Sequence, residues 1–319
     1  MSETLSIVVS IFGLIGLGYV AARTGLLSSG VGERLTDFVF TLAIPLLLFL
    51  TLATADFHGV SPWRIWAAYF IPFAIVWVVA HQMIRRVFGR DARAGVVAGG
   101  SAAYSNAVLI GLPLLHTALG EAGAVYLVVI VVIHTPVLML IGVFLNEWAL
   151  VADGAETETG SRREALWRVC VALVRHPILI GIAAGLVWRA TGFGIPEVVT
   201  KVIEPLARSG GPLALFVTGM TLVNYGIARQ VKPAIAISAL KLFLLPALAY
   251  VASRLIGLPP LGVAALTLAA SSPTGVNVFM LATRLGTGEA LASNTLVIST
   301  AGAVFTVALW LTLLQTTLG

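Results

Sequence analysis

The chain has 319 residues, of which 59% are hydrophobic and only 10% are charged, and its formal net charge is +5. Soluble domains carry about 25% charged residues, so this composition excludes an ordinary water-soluble protein and indicates an integral membrane protein. The basic residues form no run interleaved with aromatic residues, which argues against nucleic-acid binding. The single Cys170 excludes an intramolecular disulfide and a multi-cysteine metal site.

Continuous apolar runs predict ten membrane-spanning helices, because a helix needs roughly 20 residues to cross the hydrocarbon core. The alternating pattern of a membrane β-barrel is absent from these runs. In chain order the predicted spans are residues 5–22, 34–52, 63–84, 94–115, 123–146, 169–190, 205–226, 233–254, 262–283 and 290–315. The polar stretch 147–168 has the composition of a flexible loop and divides the spans into five and five.

The distribution of basic residues predicts the orientation of the spans. Of the Lys and Arg residues in loops or near span ends, twelve lie on one side of the membrane and four on the other, if the termini share the second side. Cytoplasmic loops carry the excess of positive charge. We therefore expect both termini outside and the loop 147–168 in the cytoplasm.

Short matches at nearly one offset predict an internal repeat, with residues 1–146 as the first copy and 169–319 as the second. The offsets are 167, 167 and 168 residues for the matched pairs 24–25 with 191–192, 45–51 with 212–218, and 119–122 with 286–290. A repeat of five spans is odd, so the second copy must be inserted upside down. This is the inverted-repeat architecture of secondary transporters.

Spans 4 and 9 are both interrupted by small polar residues and proline near their middle. The candidate substrate-binding residues from these two clusters are Ser105, Asn106, Pro113, Pro273, Thr274, Gly275 and Asn277. A broken helix frees backbone groups that are tolerable where they line a cavity or hold a ligand, and half-helix N-termini favour anions. The sequence Ser-Ser-Pro suits the start of a half-helix. The alternative is that the polar residues join helices and the prolines only kink them.

Lys241 and His134 are the other polar anomalies inside spans. Lys241 lies about 12 Å into span 8, and we expect it to contact carbonyls freed by the break and to add positive potential. Snorkelling to the membrane surface is the alternative. His134 in span 5 could exchange a proton, or it could simply donate a hydrogen bond between helices. Asp37 and Glu204, 167 residues apart, are expected to complement helix N-termini rather than to relay protons.

Motifs of other function classes are missing from the sequence. It has no phosphate-binding GxxxxGK[ST] motif, and neither of the hydrolase motifs HExxH and GxSxG. We therefore predict that the protein is not an enzyme and needs no cofactor or resident metal. Spans 3–5 and 8–10 also contain no interior Asp or Glu, which argues against a cation–proton antiporter.

Four segments together resemble the auxin efflux carrier family, which includes malonate and malate carriers. They are "FTLAIPLLLFLTL", "YSNAVLIGLPLL", "LKLFLLPAL" and "SSPTGVNVFMLATRLG". The resemblance implies a fold of the sodium/bile-acid symporter type, with spans 4 and 9 crossing in the core. It implies a scaffold of spans 1, 2, 6 and 7, dimer contacts through spans 2 and 7, and an elevator-like transport domain of spans 3–5 and 8–10. It also implies that Asn106 and Asn277 bind the substrate carboxylate. The short central loop departs from the long plant members.

These features together predict a secondary transporter of small organic anions, such as malonate, malate or auxin-like acids. Efflux is favoured by about 2.3 kcal/mol per charge for each 100 mV of membrane potential. The alternatives are a sodium- or proton-coupled symporter, a membrane ligand sensor that transports nothing, and a channel. We expect a homodimer in the inner membrane of a bacterium, with membrane lipid and the anion as its partners.

Overall fold

The computed structural model describes residues 3–55, 61–153, 162–225 and 231–318, and every regular element within these ranges is a helix. The α-helices are α1 (Glu3–Arg23), α2 (Ser29–Phe38), α3 (Ile44–Ala53), α4 (Pro62–Arg86), α5 (Ala92–Ala103), α6 (Leu112–Ala152), α7 (Arg162–Val174), α8 (Pro177–Ala190), α9 (Glu197–Leu222), α10 (Val231–Ala239), α11 (Leu245–Leu255), α12 (Pro260–Ser271), α13 (Asn277–Leu285) and α14 (Glu289–Leu318). Three π-helical segments lie at Val39–Ala43, Ala107–Gly111 and Leu240–Leu244.

The helices confirm an integral membrane protein. Six helical segments of the described chain are long and apolar enough to cross a bilayer: Glu3–Arg23, Ser29–Ala53, Pro62–Arg86, Ala107–Leu138, Val231–Leu255 and Glu289–Leu318. A seventh candidate span consists of two consecutive helices that are bent by 62° relative to each other. The helices α5, α12 and α13 are too short to span alone, and the first half of α9 is charged. The count of ten spans therefore stays a prediction.

Glycines in the left-handed conformation recur at the offset found in the sequence. Such glycines end helices because they have no Cβ to clash in that conformation. Three pairs with φ between 62° and 75° are separated by 167 or 168 residues: Gly25 with Gly192, Gly89 with Gly257, and Gly120 with Gly288. Gly120 also divides α6 into two helices of different direction.

Two helix crossings are related by the same offset. In the first, Gly18 of α1 lies against the Phe216 carbonyl of α9; in the second, Gly185 of α8 lies against the Phe49 carbonyl of α3. Each residue of the second crossing is 167 positions from its counterpart in the first. Small residues let helix backbones approach closely in a membrane. The offset found in the sequence therefore relates a pair of helix contacts as well as pairs of turns.

We expect Gly18→Ala to destabilise the protein strongly. An added Cβ would lie 1.9 Å from the Phe216 oxygen, which is backbone and cannot move aside without separating α1 from α9. Overpacking of this kind costs about 1–3 kcal/mol or more. Gly16→Ala is the matched control, because nothing lies within 4 Å of a Cβ there. Thermal unfolding should show a lower Tm for Gly18→Ala only, and equal Tm values would contradict this packing.

The predicted boundaries of the central loop were wrong. Residues 147–168 were expected to be a flexible loop, but α6 continues to Ala152 and α7 begins at Arg162. Only residues 154–161 of this stretch lie outside the described chain. The apolar and helix-favouring residues on either side extend the neighbouring helices into the polar stretch.

The expected role of Asp37 and Glu204 was also wrong. Asp37 lies eight residues after the first residue of α2, and Glu204 lies seven residues after the first residue of α9, so neither is in a first helical turn. The helix dipole acts within the first turn only. Glu204 instead pairs with Arg208 one turn later, at 2.5 Å.

Asp153 ties the end of α6 to the start of α5. Its carboxylate accepts hydrogen bonds from the backbone N–H groups of Ala92 and Arg93, at 2.7 and 3.1 Å, and from the Arg93 Nε at 3.0 Å. Burial alone would raise the pKa of this carboxyl, but these donors outweigh it and the net shift of the pKa is downward. Asp91 caps the N-terminus of α5 by accepting a hydrogen bond from the Ala94 N–H at 2.7 Å.

Candidate functional site

The first helix break lies between α5 and the π-helical segment Ala107–Gly111. Helix α5 ends at Ala103, Tyr104 is extended, and Asn106 adopts φ −73° and ψ 64°. The Ala107 N–H bonds back to the Ser105 carbonyl at 2.8 Å, and the Asn106 carbonyl accepts from the Gly111 N–H at 2.9 Å. The chain thus leaves the helix for three residues and then resumes it.

The second helix break lies between α12 and α13. Helix α12 ends at Ser271, and Ser272 is extended, with φ −58° and ψ 142°. The reason is Pro273, because a proline disfavours the helical conformation of the residue before it. The expectation that Ser-Ser-Pro starts a half-helix was wrong, since the two serines end one. The Ser271 hydroxyl donates to the Leu268 carbonyl at 2.9 Å, and α13 begins only at Asn277.

The two breaks pair with each other. The Asn106 N–H donates to the Pro273 carbonyl at 2.8 Å, and the Gly275 N–H donates to the Tyr104 carbonyl at 3.0 Å. Ser105 and Thr274 therefore face each other as one antiparallel bridge. The pairing satisfies backbone groups that the breaks would otherwise leave free. It also brings the helix starts at Ala107 and Asn277 into one region.

Lys241 reaches this pairing from the π-helical segment Leu240–Leu244. Its side chain is fully buried. The ammonium donates to the Ser105 hydroxyl and to the Ala270 carbonyl, each at 2.7 Å. Ala270 lies in the last turn of α12, where carbonyls have no partner within the helix. The expected contact of Lys241 with a freed carbonyl is thus present. Tyr69 also donates to the Ser105 hydroxyl, at 3.1 Å.

No carboxylate accompanies this lysine. Within the described residues, Arg93, Lys201 and Arg208 form salt bridges and Lys241 forms none. A buried charge without a partner costs several kcal/mol, whereas an anion brought close to it recovers part of that cost. The ammonium therefore adds positive charge beside the paired breaks.

Tyr104 joins the pairing to two further candidates. The Asn277 amide donates to the Tyr104 hydroxyl at 3.2 Å, and the Tyr104 ring stacks on the His134 ring with 4.0 Å between centroids. His134 also meets the Tyr69 ring edge to face at 5.8 Å. Its Nε2 atom is buried without a hydrogen-bond partner. Asn277 is exposed, whereas Asn106 is 8% exposed.

Thr274, Gly275 and Pro113 differ in how they relate to the pairing. Thr274 is anchored, because its hydroxyl donates to the Ser101 carbonyl at 2.7 Å and its N–H donates to the Ser299 hydroxyl at 3.1 Å. Position 275 has room only for a glycine, because an added Cβ would lie 2.7 Å from the Tyr104 ring. Pro113 lies apart, in the first turn of α6 and beside Gly211 of α9.

Sequence reasoning missed three side chains of this cluster: Tyr69, Tyr104 and Ser299. Tyr104 directly precedes the predicted residues Ser105 and Asn106, so its position next to a break was a usable signal. Tyr69 and Ser299 lie in helices without any local anomaly. In the folded structure Tyr69 bonds to Ser105, 36 positions away in the chain, and Ser299 bonds to Thr274, 25 positions away.

Comparison with known families places the chain among transport proteins. A family model described as "Membrane transport protein" matches residues 4–311, which is nearly the whole chain. This match covers both helix breaks and the lysine between them.

The chain is also similar to three named proteins. A Rhizobium meliloti protein named "Putative malonate transporter" is 29% identical over 237 residues, covering 70% of this chain and 68% of the relative. "Auxin efflux carrier component 8" of Arabidopsis thaliana is 26% identical over 289 residues, covering 76% and 78%. The "Lysosomal cholesterol signaling protein" of Mus musculus is 24% identical over 227 residues, but only 26% of its length is covered.

Proposed function

Because the chain belongs to the auxin efflux carrier family of membrane transport proteins, we propose that it is a secondary transporter of small organic anions. The observation that carries the proposal is the paired break itself, with the ammonium of Lys241 buried against Ser105. Paired interruptions in two halves of a membrane protein mark transport sites. The protein is accordingly a transporter by family and not an enzyme.

We propose that the substrate carboxylate binds where the two half-helices start. The starts at Ala107 and Asn277 place the positive ends of two helix dipoles beside the pairing, although the Ala107 N–H itself bonds to the Ser105 carbonyl. The side-chain amides of Asn106 and Asn277 add further donors. Lys241 supplies positive potential from behind Ser105. All of these features favour a carboxylate over a cation or a neutral solute.

The substrate class we propose is the small carboxylic acids. The names of two relatives refer to malonate and to auxin, both of which carry carboxylates. The anchoring of Ser105 and Thr274 leaves the exposed Asn277 as the accessible polar side chain of the pairing. A short acid could reach its amide without disturbing the buried bonds.

The full architecture we propose has ten spans in two inverted repeats, with spans 4 and 9 crossing at the pairing. The recurrence of left-handed glycines and of the glycine–carbonyl crossing at 167 or 168 residues supports the repeat. The charge asymmetry of the loops supports placing both termini outside. We further propose that the protein lies in a bacterial inner membrane and dimerises through spans 2 and 7.

We propose an elevator-like movement of one helix group against another. The most extensive packing joins α1 to α9 and α3 to α8 in one group, and α4 to α5 and α11 to α12 in the other. The paired residues follow α5 and α12 of the second group, and the π-helical segment after the first break also packs against α9 of the first group. Contacts between the groups are sparser, which suits a sliding boundary. We propose efflux driven by the membrane potential, which favours the exit of an anion by about 2.3 kcal/mol per charge for each 100 mV.

A proton-coupled symporter is the second candidate, and His134 and Lys241 favour it. Both are buried beside the pairing. A buried ammonium is favoured only when an opposite charge is near, so substrate binding and protonation of Lys241 are expected to be linked. Transport that alkalinises the outside solution in proportion to anion uptake would support this candidate.

The experiment that tests the proposal is flux into liposomes. Purified protein is reconstituted, a potential is imposed, and labelled malonate, malate and indole acetic acid are followed. A transporter moves at least one of them in a voltage-dependent way. Saturable binding without flux would indicate a ligand sensor. A substrate affinity that depends on sodium would indicate a sodium symporter. The absence of both binding and flux would overturn the proposal.

We expect Asn106→Ala and Asn277→Ala each to weaken binding of the transported acid about 10- to 100-fold. A hydrogen bond to a charged group contributes about 1.5–3 kcal/mol, which corresponds to that range. Asn224→Ala is the control, since Asn224 is exposed beyond the end of α9. Titration calorimetry measures the affinities. Unchanged affinity in both site variants would remove the carboxylate assignment.

A further inference from the structure

A basic cavity lies at the C-terminal end of α4, away from the paired breaks. Its volume is about 510 Å³, and it is lined by Gln82, Arg85, Arg86, Gly89 and Arg90. The three arginines are exposed. Three guanidinium groups around one concave surface are suited to an oxygen-rich anion such as a phosphate, which arginine binds with two parallel hydrogen bonds.

The nearby acidic residues do not neutralise these arginines. Asp91 and Asp153 are both engaged at the start of α5, where they accept from backbone N–H groups and pair with Arg93. Within the described ranges, none of the ion pairs involves an arginine of the cavity. The positive charge of the cavity is therefore available to a ligand.

An exposed apolar face of α4 runs directly into the cavity. Ile71, Ile75 and Val78 are 53%, 44% and 57% exposed, and the same face continues through Gln82 to Arg85. Spacings of three and four residues keep these side chains on one side of the helix. From Ile71 to Arg85 the face is about 21 Å long, enough for an acyl chain in one leaflet of a core about 30 Å thick.

The surroundings of the cavity resemble a membrane interface. Val87, directly after the last residue of α4, is 72% exposed. Trp148 of α6 is 48% exposed, and its ring lies 5.6 Å from the ring of His81, one residue before Gln82. Tryptophan is enriched at the level of the lipid headgroups. A dissolved phosphate would make no use of these apolar surfaces.

We propose that this cavity binds the headgroup of an anionic phospholipid, with an acyl chain along the exposed face of α4. The arginines hold the phosphodiester, and Ile71, Ile75 and Val78 contact the chain. Anionic lipids are attracted by basic residues at the cytoplasmic surface, by about 1 kcal/mol for each residue. The binding does not depend on which substrate the protein transports.

The second repeat provides a natural control for this site. The counterparts of Arg85, Arg86 and Arg90 at an offset of 168 are Ser253, Arg254 and Leu258. The backbone turn is the same in both copies, because Gly257 has the left-handed conformation of Gly89. Arg254 is thus an exposed arginine in the same local structure but without the two companions. R254Q should leave lipid binding unchanged.

The test measures thermal unfolding of the whole protein in detergent with added phosphatidylglycerol, phosphatidylcholine or inorganic phosphate. Phosphatidylglycerol is expected to raise the Tm of the original protein and of R254Q by several degrees, since a ligand of the folded state stabilises it. The variant R85Q/R86Q/R90Q is expected to lose that shift. The single variants R85Q and R90Q, expected to weaken phosphatidylglycerol binding at least threefold each, provide the test if the triple variant does not fold.

Three outcomes would overturn the proposal. The first is an equal Tm shift with phosphatidylcholine, which would mean that no anionic headgroup is recognised. The second is a shift of the same size with inorganic phosphate alone, which would assign the cavity to a dissolved anion. The third is retention of the phosphatidylglycerol shift in the triple variant, or in both single variants.

Discussion

Lys241→Met is expected to abolish transport while leaving the protein at least as stable as the original. Methionine has a similar length and fills the buried space, so packing is kept. The substitution removes the ammonium, whose burial without a countercharge costs several kcal/mol. It leaves the Ala270 carbonyl without its donor, which costs about 1–3 kcal/mol. The gain from removing the buried ammonium is larger than the cost of the unpaired Ala270 carbonyl, so the Tm should stay the same or rise.

Transport should fall at least 100-fold because the anion loses the positive charge behind Ser105. A charge-assisted interaction of about 2.7 kcal/mol corresponds to that factor. Lys201→Met is the matched control, since Lys201 is an exposed lysine that pairs with Glu197 one turn away. Flux in liposomes and thermal unfolding are measured for both variants. Normal flux in Lys241→Met would show that this cation takes no part in transport.

The sequence predicted the helical membrane class and the existence of the two breaks, because both follow from local composition. Long apolar runs can only be buried in lipid, and clusters such as "YSNAVLIGLP" and "SSPTGVN" cannot continue a regular helix. The position of Lys241 was equally visible, since a charge is conspicuous among apolar residues. Its contact with a freed carbonyl followed from the shortage of other partners at that depth.

Other features depend on contacts between distant residues and left no local signal. The role of Ser271 and Ser272 was misjudged because a serine can either start a helix or end one. Pro273 decided between these two states by its effect on the residue before it. The charged residues in the first half of α9 delayed the predicted start of span 7 to residue 205, whereas the helix begins at Glu197. Tyr69 and Ser299 join the cluster only through tertiary packing.

Gly275→Ala is expected to separate the two paired breaks and to reduce transport at least tenfold. The backbone of Gly275 does not have a positive φ, so alanine is conformationally allowed and the effect is purely steric. The new Cβ would lie 2.7 and 2.9 Å from two atoms of the Tyr104 ring and 3.2 Å from the Ser105 carbonyl oxygen.

Tyr104 cannot move aside easily to admit this methyl group. Its ring is stacked on His134, and its hydroxyl accepts from Asn277. The substitution therefore stretches the bonds that join Gly275 to Tyr104 and Asn106 to Pro273. Overpacking costs about 1–3 kcal/mol, and each lost hydrogen bond adds about 0.5–1.5 kcal/mol. We expect the Tm to fall by several degrees together with transport.

A double-mutant cycle separates this steric effect from general damage. In Tyr104→Ala the ring is gone, so adding Gly275→Ala should cost little more; the coupling between the two sites should exceed about 1 kcal/mol. Gly211→Ala is the matched control, because its Cβ would make only an ordinary contact with Pro113 at 3.7 Å. If Gly275→Ala matched Gly211→Ala in Tm and flux, close pairing of the two breaks would not be needed for transport. If the two costs simply added, the Tyr104 ring would not be the obstacle.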